Sequence, residues 1–350
     1  MTLFVYEEKD RNYAKKVKTA AAVVCLTAAA SIWLLSGCAR KIEPITKSSF
    51  MLNTFVTVTL YDTDDPDILN GSLELCRSYE NIFSRTIEAS EIYKLNHRPA
   101  DEQTVTVSDD VAALLEKGIY YSKVSDGDFD ITVEPLSSLW NFSSEDHAVP
   151  SDSEIREARD KVNWKNLELN GNTLTFGSPD TAIDLGAIAK GYIADRMKDY
   201  LVKEGVKSAV INLGGNVLCV GKRPDGTPFK VGLQKPYADR NETIATLDID
   251  GMSVVSSGVY ERHFVKDGVN YHHILNPRDG YPYQNGLVSV TIISDLSVDG
   301  DGLSTTCFSM GLEKGKALID SIDGAYGVFI TDDYEIVYSE GAEKFLDKES

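Results

Sequence analysis

One stretch constrains the fold more than any other: Ala182 to Met197, AIDLGAIAKGYIADRM. Two apolar residues run into Asp184, and Gly186 follows two positions later. Ile193, Met197, Tyr200 and Leu201 then fall at i, i+4, i+7 and i+8, one face of a helix. The pattern predicts a strand ending at a carboxylate, a turn over Gly186, and a helix with Lys190 in its first turns. Backbone N–H groups at such a helix start, with a lysine beside them, suit a phosphate-bearing ligand. The same residues also suit a plain strand-to-helix joint with a solvated lysine, so the rest of the chain must decide.

The first 37 residues read as an export signal rather than as part of the fold. Lys15, Lys16 and Lys18 precede an apolar run, Thr19 to Leu35, that falls short of the ~20 residues a spanning helix needs. An uncleaved N-terminal anchor is the alternative. Leu35-Ser36-Gly37-Cys38 resembles the lipobox of bacterial lipoproteins, which makes Cys38 the acylated N-terminus of an extracytoplasmic, membrane-anchored protein. Residues 38–48 then form a polar linker and 49–345 the globular domain. The whole chain carries a net charge of −19, and its first 37 residues are slightly basic. So acidic a domain argues against nucleic acid as a partner, because that binding depends on basic surface. Cys76, Cys219 and Cys307 are too widely spaced for a CxxC metal site or a disulfide framework.

Along the chain, Phe55 to Tyr61 alternates as a strand. Helices are expected from Pro66, from the Ser90 cap to Asn96, from Ser108 or Asp109 to the Ser125-Asp126-Gly127 turn, and over 152–161. Leu167 to Phe176 reads as a hairpin around an Asn-Gly turn. Further short strands are expected at 208–212, 217–220, 230–233, 243–249, 253–256, 261–265 and 288–293. Helices at 302–311 and 313–321 precede a closing hairpin, 325–330 and 335–339. A helix-rich first part and a strand-rich second part predict an α+β fold, mostly antiparallel sheet with flanking helices.

Four groups could carry chemistry. The first is Asp184 with Lys190. The second is Asp128-Phe129-Asp130, where an aromatic residue between acids could stack a flavin or adenine ring, or be an ordinary buried Phe. The third is Tyr271 to Gly280, YHHILNPRDG, where His272 and His273 point to opposite sides and one could serve as a general base. The fourth is Val298 to Met310, where Asp301 and Thr305 share a helix face. A carboxylate and a hydroxyl fit part of a Mg²⁺ shell, though an N-cap Asp with an incidental Thr would share this spacing.

With these residues in place the chain resembles the ApbE family, the FAD:protein FMN transferases. The likeness runs from Leu52-Asn53-Thr54 to the closing hairpin, through FDITVEPLSSLW, IDLGAIAKGYIAD, INLGGNV, VVSSGVYERHF, HHILNPRDG and DGLSTTCFSMG. The resemblance implies a tunnelling-fold-like architecture and Mg²⁺-dependent transfer of FMN from FAD to a Ser or Thr hydroxyl of an acceptor protein, releasing AMP. It implies FAD contacts at Leu52, Asp128, Phe129, Asp130, Asp184, Lys190 and Leu275. It implies Mg²⁺ at the Ala187 carbonyl, Asp301 and Thr305, and His273 as base. The acceptor it implies is a membrane or surface redox protein with a flavinylation motif. Two departures stand out: Leu52-Asn53-Thr54 replaces the family's Met-Gly-Thr, and Gly300-Asp301-Gly302 its Ala-Asp-Ala. A Mg²⁺-dependent FAD pyrophosphatase and a non-catalytic flavin-binding lipoprotein are the rival readings.

Overall fold

β1 (Ile45–Met51) and β2 (Thr54–Leu60) pair antiparallel, from Ile45 opposite Leu60 to Met51 opposite Thr54. The two-residue turn between them holds Leu52 and Asn53 at φ 55° and 54°, left-handed values that cost a residue bearing a Cβ. Glu80 braces this turn, its carboxylate accepting a 2.6 Å hydrogen bond from the Leu52 amide. β1 starts inside the stretch expected as linker, so that segment already supplies an edge strand. The computed structural model describes residues 42–144, 147–239 and 242–347. The expected export signal and Cys38 lie outside the described residues.

The helices of the first part begin where their caps predict. α1 (Pro66–Phe83) starts at Asp65, which accepts from the Asp67 amide, and α2 (Glu91–Asn96) at Ser90, which accepts from the Tyr93 amide. β3 (Thr104–Thr106) leads to α3 (Asp109–Val124), whose N-cap is Ser108. A short α4 (Glu134–Trp140) emerges within the mixed acidic and apolar stretch. α5 (Asp152–Arg159) opens with a capping box between Ser151 and Glu154. β4 (Leu167–Asn170) and β5 (Thr173–Phe176) form the expected hairpin, and β3 adds to it as a third strand.

Residues 182–184, expected as the end of a strand, are irregular instead. The Asn96 side chain takes the place of a neighbouring strand, accepting from the Ile183 amide at 2.7 Å and donating to its carbonyl at 2.8 Å. α6 (Ala189–Lys203) follows with Ile193, Met197 and Leu201 buried, as the period requires.

The strands then come in quick succession: β6 (Ala209–Leu213), β7 (Asn216–Val220), β8 (Phe229–Gln234), β9 (Thr243–Ile249), β10 (Ser253–Gly258), β11 (His263–Lys266), β12 (Val269–His272) and β13 (Leu287–Ser294). α7 (Ser297–Met310), α8 (Leu312–Asp320), β14 (Tyr326–Thr331) and β15 (Ile336–Tyr338) close the fold. The main sheet has the order β1-β2-β6-β7-β10-β13-β14-β15, all antiparallel, and it remains open with β1 and β15 at its edges. This is the expected α+β class. All eight residues of β13 are buried, because Ile292 packs in the main core while Ile293 faces a smaller cluster formed with β8 and β9. Cys76, Cys219 and Cys307 are free and buried.

α7 begins five residues before the expected start because its cap comes from another helix. Leu296 offers no side-chain cap. Asp195 on α6 supplies it, accepting from the Ser297 and Val298 amides at 2.8 and 2.9 Å. Gly191, one turn earlier on α6, lets the backbones meet, since a Cβ there would overlap the Ser297 carbonyl.

Burial pushes the Asp195 carboxyl up to about 6, against the pull of the Val298 and Ser297 amides. A raised native value means that the folded state holds the proton more tightly than the unfolded one. The stability from this group is therefore full below about pH 4 and declines as pH rises through about 6. Asp195→Asn lacks this titration. In urea melts, the stability of the natural protein minus that of Asp195→Asn should shrink by a few kcal/mol over that window. A difference that grows with pH would mean that the amide bonds outweigh burial.

Candidate active site

The start of α6 departs from an ordinary helix at one bond. In a helix one turn longer, the Gly191 amide would close onto the Ala187 carbonyl. It donates instead to Asp301 Oδ2 on α7, at 2.8 Å. No backbone amide among the described residues donates to the Ala187 carbonyl in its place. Lys190 Nζ stands 3.4 Å from Asp301 Oδ1. Asp301 is buried, and burial raises its pKa against the opposing influence of Lys190, the Gly191 amide and Asn216. One turn along α7, Thr305 Oγ1 lies 3.0 Å from Ser257 Oγ. Asn216 is buried too, with Oδ1 accepting from the Ser297 hydroxyl at 2.8 Å and the amide side of the group toward Asp301.

Asp184 sits just ahead of this corner. Its Oδ1 accepts from the Gly186 amide at 2.8 Å, and its Oδ2 lies 3.2 Å from Arg85 Nε. Arg85 also reaches Glu134 and Ser138, fixing α4 beside the segment.

The two histidines divide as the pattern predicts. His272 is buried, its Nε2 2.8 Å from the Tyr283 carbonyl and its Nδ1 accepting from the Ile274 amide. Burial pushes its pKa down to about 4. His273 is exposed to solvent. Even so, the protein around it pushes its pKa down to about 3, with Arg262, His272 and Lys190 adding positive charge. Desolvation is the larger cause of this shift, and the neighbouring cations add to it. The ring is therefore a neutral imidazole across the physiological range.

In the acidic-aromatic segment the structure takes the buried-Phe alternative. The Phe129 ring is buried in the main core, edge-on to Tyr121 at 6.2 Å, so it offers no face on which a flavin could stack. Asp130 is spent on its own loop, accepting from the Thr132 amide and hydroxyl and from the Trp164 amide. Asp128 pairs with Arg278 at 2.7 Å. Leu275 is buried in a small cluster with Trp140 and Phe264. Leu52 occupies the strained β1–β2 turn, half-buried against the core.

The structure thus brings Lys190, Asp301 and the start of α6 together, with Thr305 a turn further along α7, and sets His273 within electrostatic reach of Lys190. Gly191, Asp195, Asn216, Arg85 and Asn96 were missed by sequence reasoning. Spacing held a trace of two of them: Gly191 and Asp195 lie four apart, on the helix face that meets α7.

An α+β chain with a buried carboxylate, a hydroxyl and an unbonded carbonyl beside cations and a neutral imidazole has the makings of an enzyme for anionic ligands. The ApbE family model matches residues 52–330, and the chain belongs to the ApbE family. It is 38% identical over 294 residues to the FAD:protein FMN transferase of Klebsiella pneumoniae strain 342, covering 83% of this chain and 90% of that one. The Vibrio cholerae FAD:protein FMN transferase is 31% identical over 304 residues, covering 85% of this chain and 90% of its own. Among solved structures, the ApbE protein of Thermotoga maritima superposes with a TM-score of 0.79 at 32% identity, over 87% of this chain and all of that one. The flavin transferase ApbE from Vibrio cholerae matches with the same TM-score of 0.79 at 27% identity, over 87% of this chain and 99% of its own.

The His273 environment makes a direct prediction. Its imidazole carbon-bound proton resonances, assigned by loss in His273→Gln, should not move between about pH 5 and 8, where an ordinary histidine titrates near 6.5. A midpoint near 6.5 would show a ring free of desolvation.

Proposed function

We propose that this chain moves the FMN portion of FAD onto a Ser or Thr hydroxyl of an acceptor protein in a Mg²⁺-dependent reaction, releasing AMP. Curated relatives named FAD:protein FMN transferase support the flavin chemistry and the use of a protein acceptor. One observation carries the metal assignment: the Gly191 amide turns away from the Ala187 carbonyl and toward Asp301. That frees a hard carbonyl oxygen beside a buried carboxylate. With the Thr305 hydroxyl on the same face of α7, the donor set is all oxygen, as Mg²⁺ prefers. Ala187, Asp301 and Thr305 would hold the ion, which when bound would supply Lewis-acid charge to phosphate oxygens.

The chain's own residues do the rest. Lys190 and the start of α6 favour the negative charge of the FAD phosphates. Asp184, fixed by Arg85 and the Gly186 amide, lines the same segment. Leu52, Leu275 and the Asp128–Asp130 loop shape the flavin side of the cleft, with Phe129 and Asp130 acting through the loop they hold rather than through an exposed ring. The neutral His273 takes the proton from the acceptor hydroxyl as its oxygen attacks the FMN phosphorus. The bond to AMP then breaks, and AMP leaves with the bridging oxygen. Such catalysis rests mainly on positioning and charge.

Residues 1–37 as export signal and a lipid on Cys38 would place the enzyme outside the cytoplasm, with 49–345 as the catalytic domain. A membrane or surface redox protein would then be the acceptor.

The test is to incubate the protein with FAD, Mg²⁺ and an acceptor carrying a Ser/Thr flavinylation motif, and to measure the acceptor's intact mass. An FMN-sized gain is expected. Free FMN with AMP would point to a hydrolase, and unchanged FAD to a binding protein. Asp301→Ala and EDTA should each abolish transfer. His273→Ala should slow transfer about 100-fold or more while FAD binding stays within a few-fold. The pH–rate profile should lack an acid limb near 6.5.

A further inference from the structure

We infer that Arg262, in the loop between β10 and β11, binds the pyrophosphate of FAD, an assignment that rests on FAD as the substrate. The other cations of the site already face carboxylates: Lys190 stands 3.4 Å from Asp301, Arg85 3.2 Å from Asp184, and Arg278 2.7 Å from Asp128. Arg262 is exposed and makes no ion pair among the described residues. Its side chain makes one hydrogen bond, from Nη2 to the Asn53 carbonyl at 3.3 Å. In a chain with a net charge of −19, a guanidinium without a carboxylate is a group kept for another anion.

Its position fits the role. The Arg262 carbonyl accepts from the His273 amide at 3.1 Å, so guanidinium and imidazole issue from adjoining backbone. Arg262 and Lys190 both place positive charge on the His273 ring, which sets the two cations around the proposed base. The Asn53 bond orients the guanidinium and uses one of its five N–H donors. The remaining fork matches two oxygens of a phosphate, a geometry that lysine cannot reproduce. Next to the β1–β2 turn, the Gly214 and Gly215 amides donate to Asn212 Oδ1 at 3.1 and 3.3 Å, with the Glu261 carboxylate 4.0 Å from where a Gly215 Cβ would stand. Arg262 would add to the positive charge that Lys190, already 3.4 Å from Asp301, and the proposed Mg²⁺ direct at the pyrophosphate.

The test compares two ligands that differ by the group in question, with the full chain, its Arg262→Gln variant and its Arg262→Lys variant. FAD carries the pyrophosphate, and riboflavin does not. By calorimetry, Arg262→Gln should weaken FAD about 10-fold or more and leave riboflavin within about two-fold. Arg262→Lys keeps the charge without the fork and should fall between the two. Equal weakening of both ligands, or of neither, overturns the inference. Should Arg262→Gln fail to fold, Arg262→Lys decides, since FAD affinity equal to that of the natural protein would overturn it as well. Failure of the natural protein to flavinylate an acceptor while it binds FAD would instead count against the transfer reaction and leave this binding comparison intact.

Discussion

The contact between the start of α6 and the start of α7 sets the site, and much of the remaining structure serves it. Two residues on one helix face make it: Gly191, by having no side chain and by its amide reaching Asp301, and Asp195, by capping the other helix. A helix normally spends its first free amides on water or on its own N-cap. Here they are exchanged between helices, so neither terminus is complete without the other. The same exchange leaves the Ala187 carbonyl without an amide partner and seats a buried carboxylate beside it. The oxygen donors proposed for a metal and the helix packing are therefore one arrangement, which is why the residues concerned are small or acidic rather than apolar.

What the sequence disclosed follows from how local each signal is. Caps at Asp65, Ser90, Ser108 and Ser151 are satisfied within a turn, so the helix starts could be read directly. The antiparallel class, the 167–176 hairpin, and the outward His273 against the inward His272 follow from turn chemistry and period two. Three features depend on distant partners and left no local trace. Residues 182–184 look like a strand end, but Ile183 pairs with the Asn96 side chain. The start of α7 hides because its cap is 102 residues away in sequence. Phe129 between two acids left a stacking platform and a buried ring both open; Asp130 turns back to accept from Thr132 and Trp164 while the ring enters the core. The roles proposed for Ala187, Leu52 and Leu275 come only from the family resemblance, since a carbonyl and two leucines carry no chemical signature of their own.

The departures from the family pattern have structural reasons. A Cβ at Gly302 would overlap the Tyr121 ring, and at Gly300 it would come within 2.9 Å of Ser294 and Val255. α7 is buried on nearly every side between the sheet and α3 and α6, so glycines around Asp301 let large neighbours close over the carboxylate. Tyr121 in turn donates to Asp299, which also pairs with Lys117. The bulk that an alanine pair would give α7 is supplied here from α3.

The same reasoning explains why asparagine is tolerated at position 53. The β1–β2 turn demands positive φ at two successive residues, and asparagine adopts that conformation more readily than most residues that carry a Cβ. The group this turn presents to Arg262 is the carbonyl of residue 53, which every amino acid has. Replacing glycine changes what projects from the turn but not what holds the guanidinium. Leucine at position 52 is the costlier member, at ~1–2 kcal/mol for a left-handed residue, and the Glu80 bond to its amide is what keeps it there. Strain of this kind persists only where surrounding contacts over-determine it. Glu80 from α1 and Arg262 from the β10–β11 loop supply those contacts, so the turn is fixed from two separate elements.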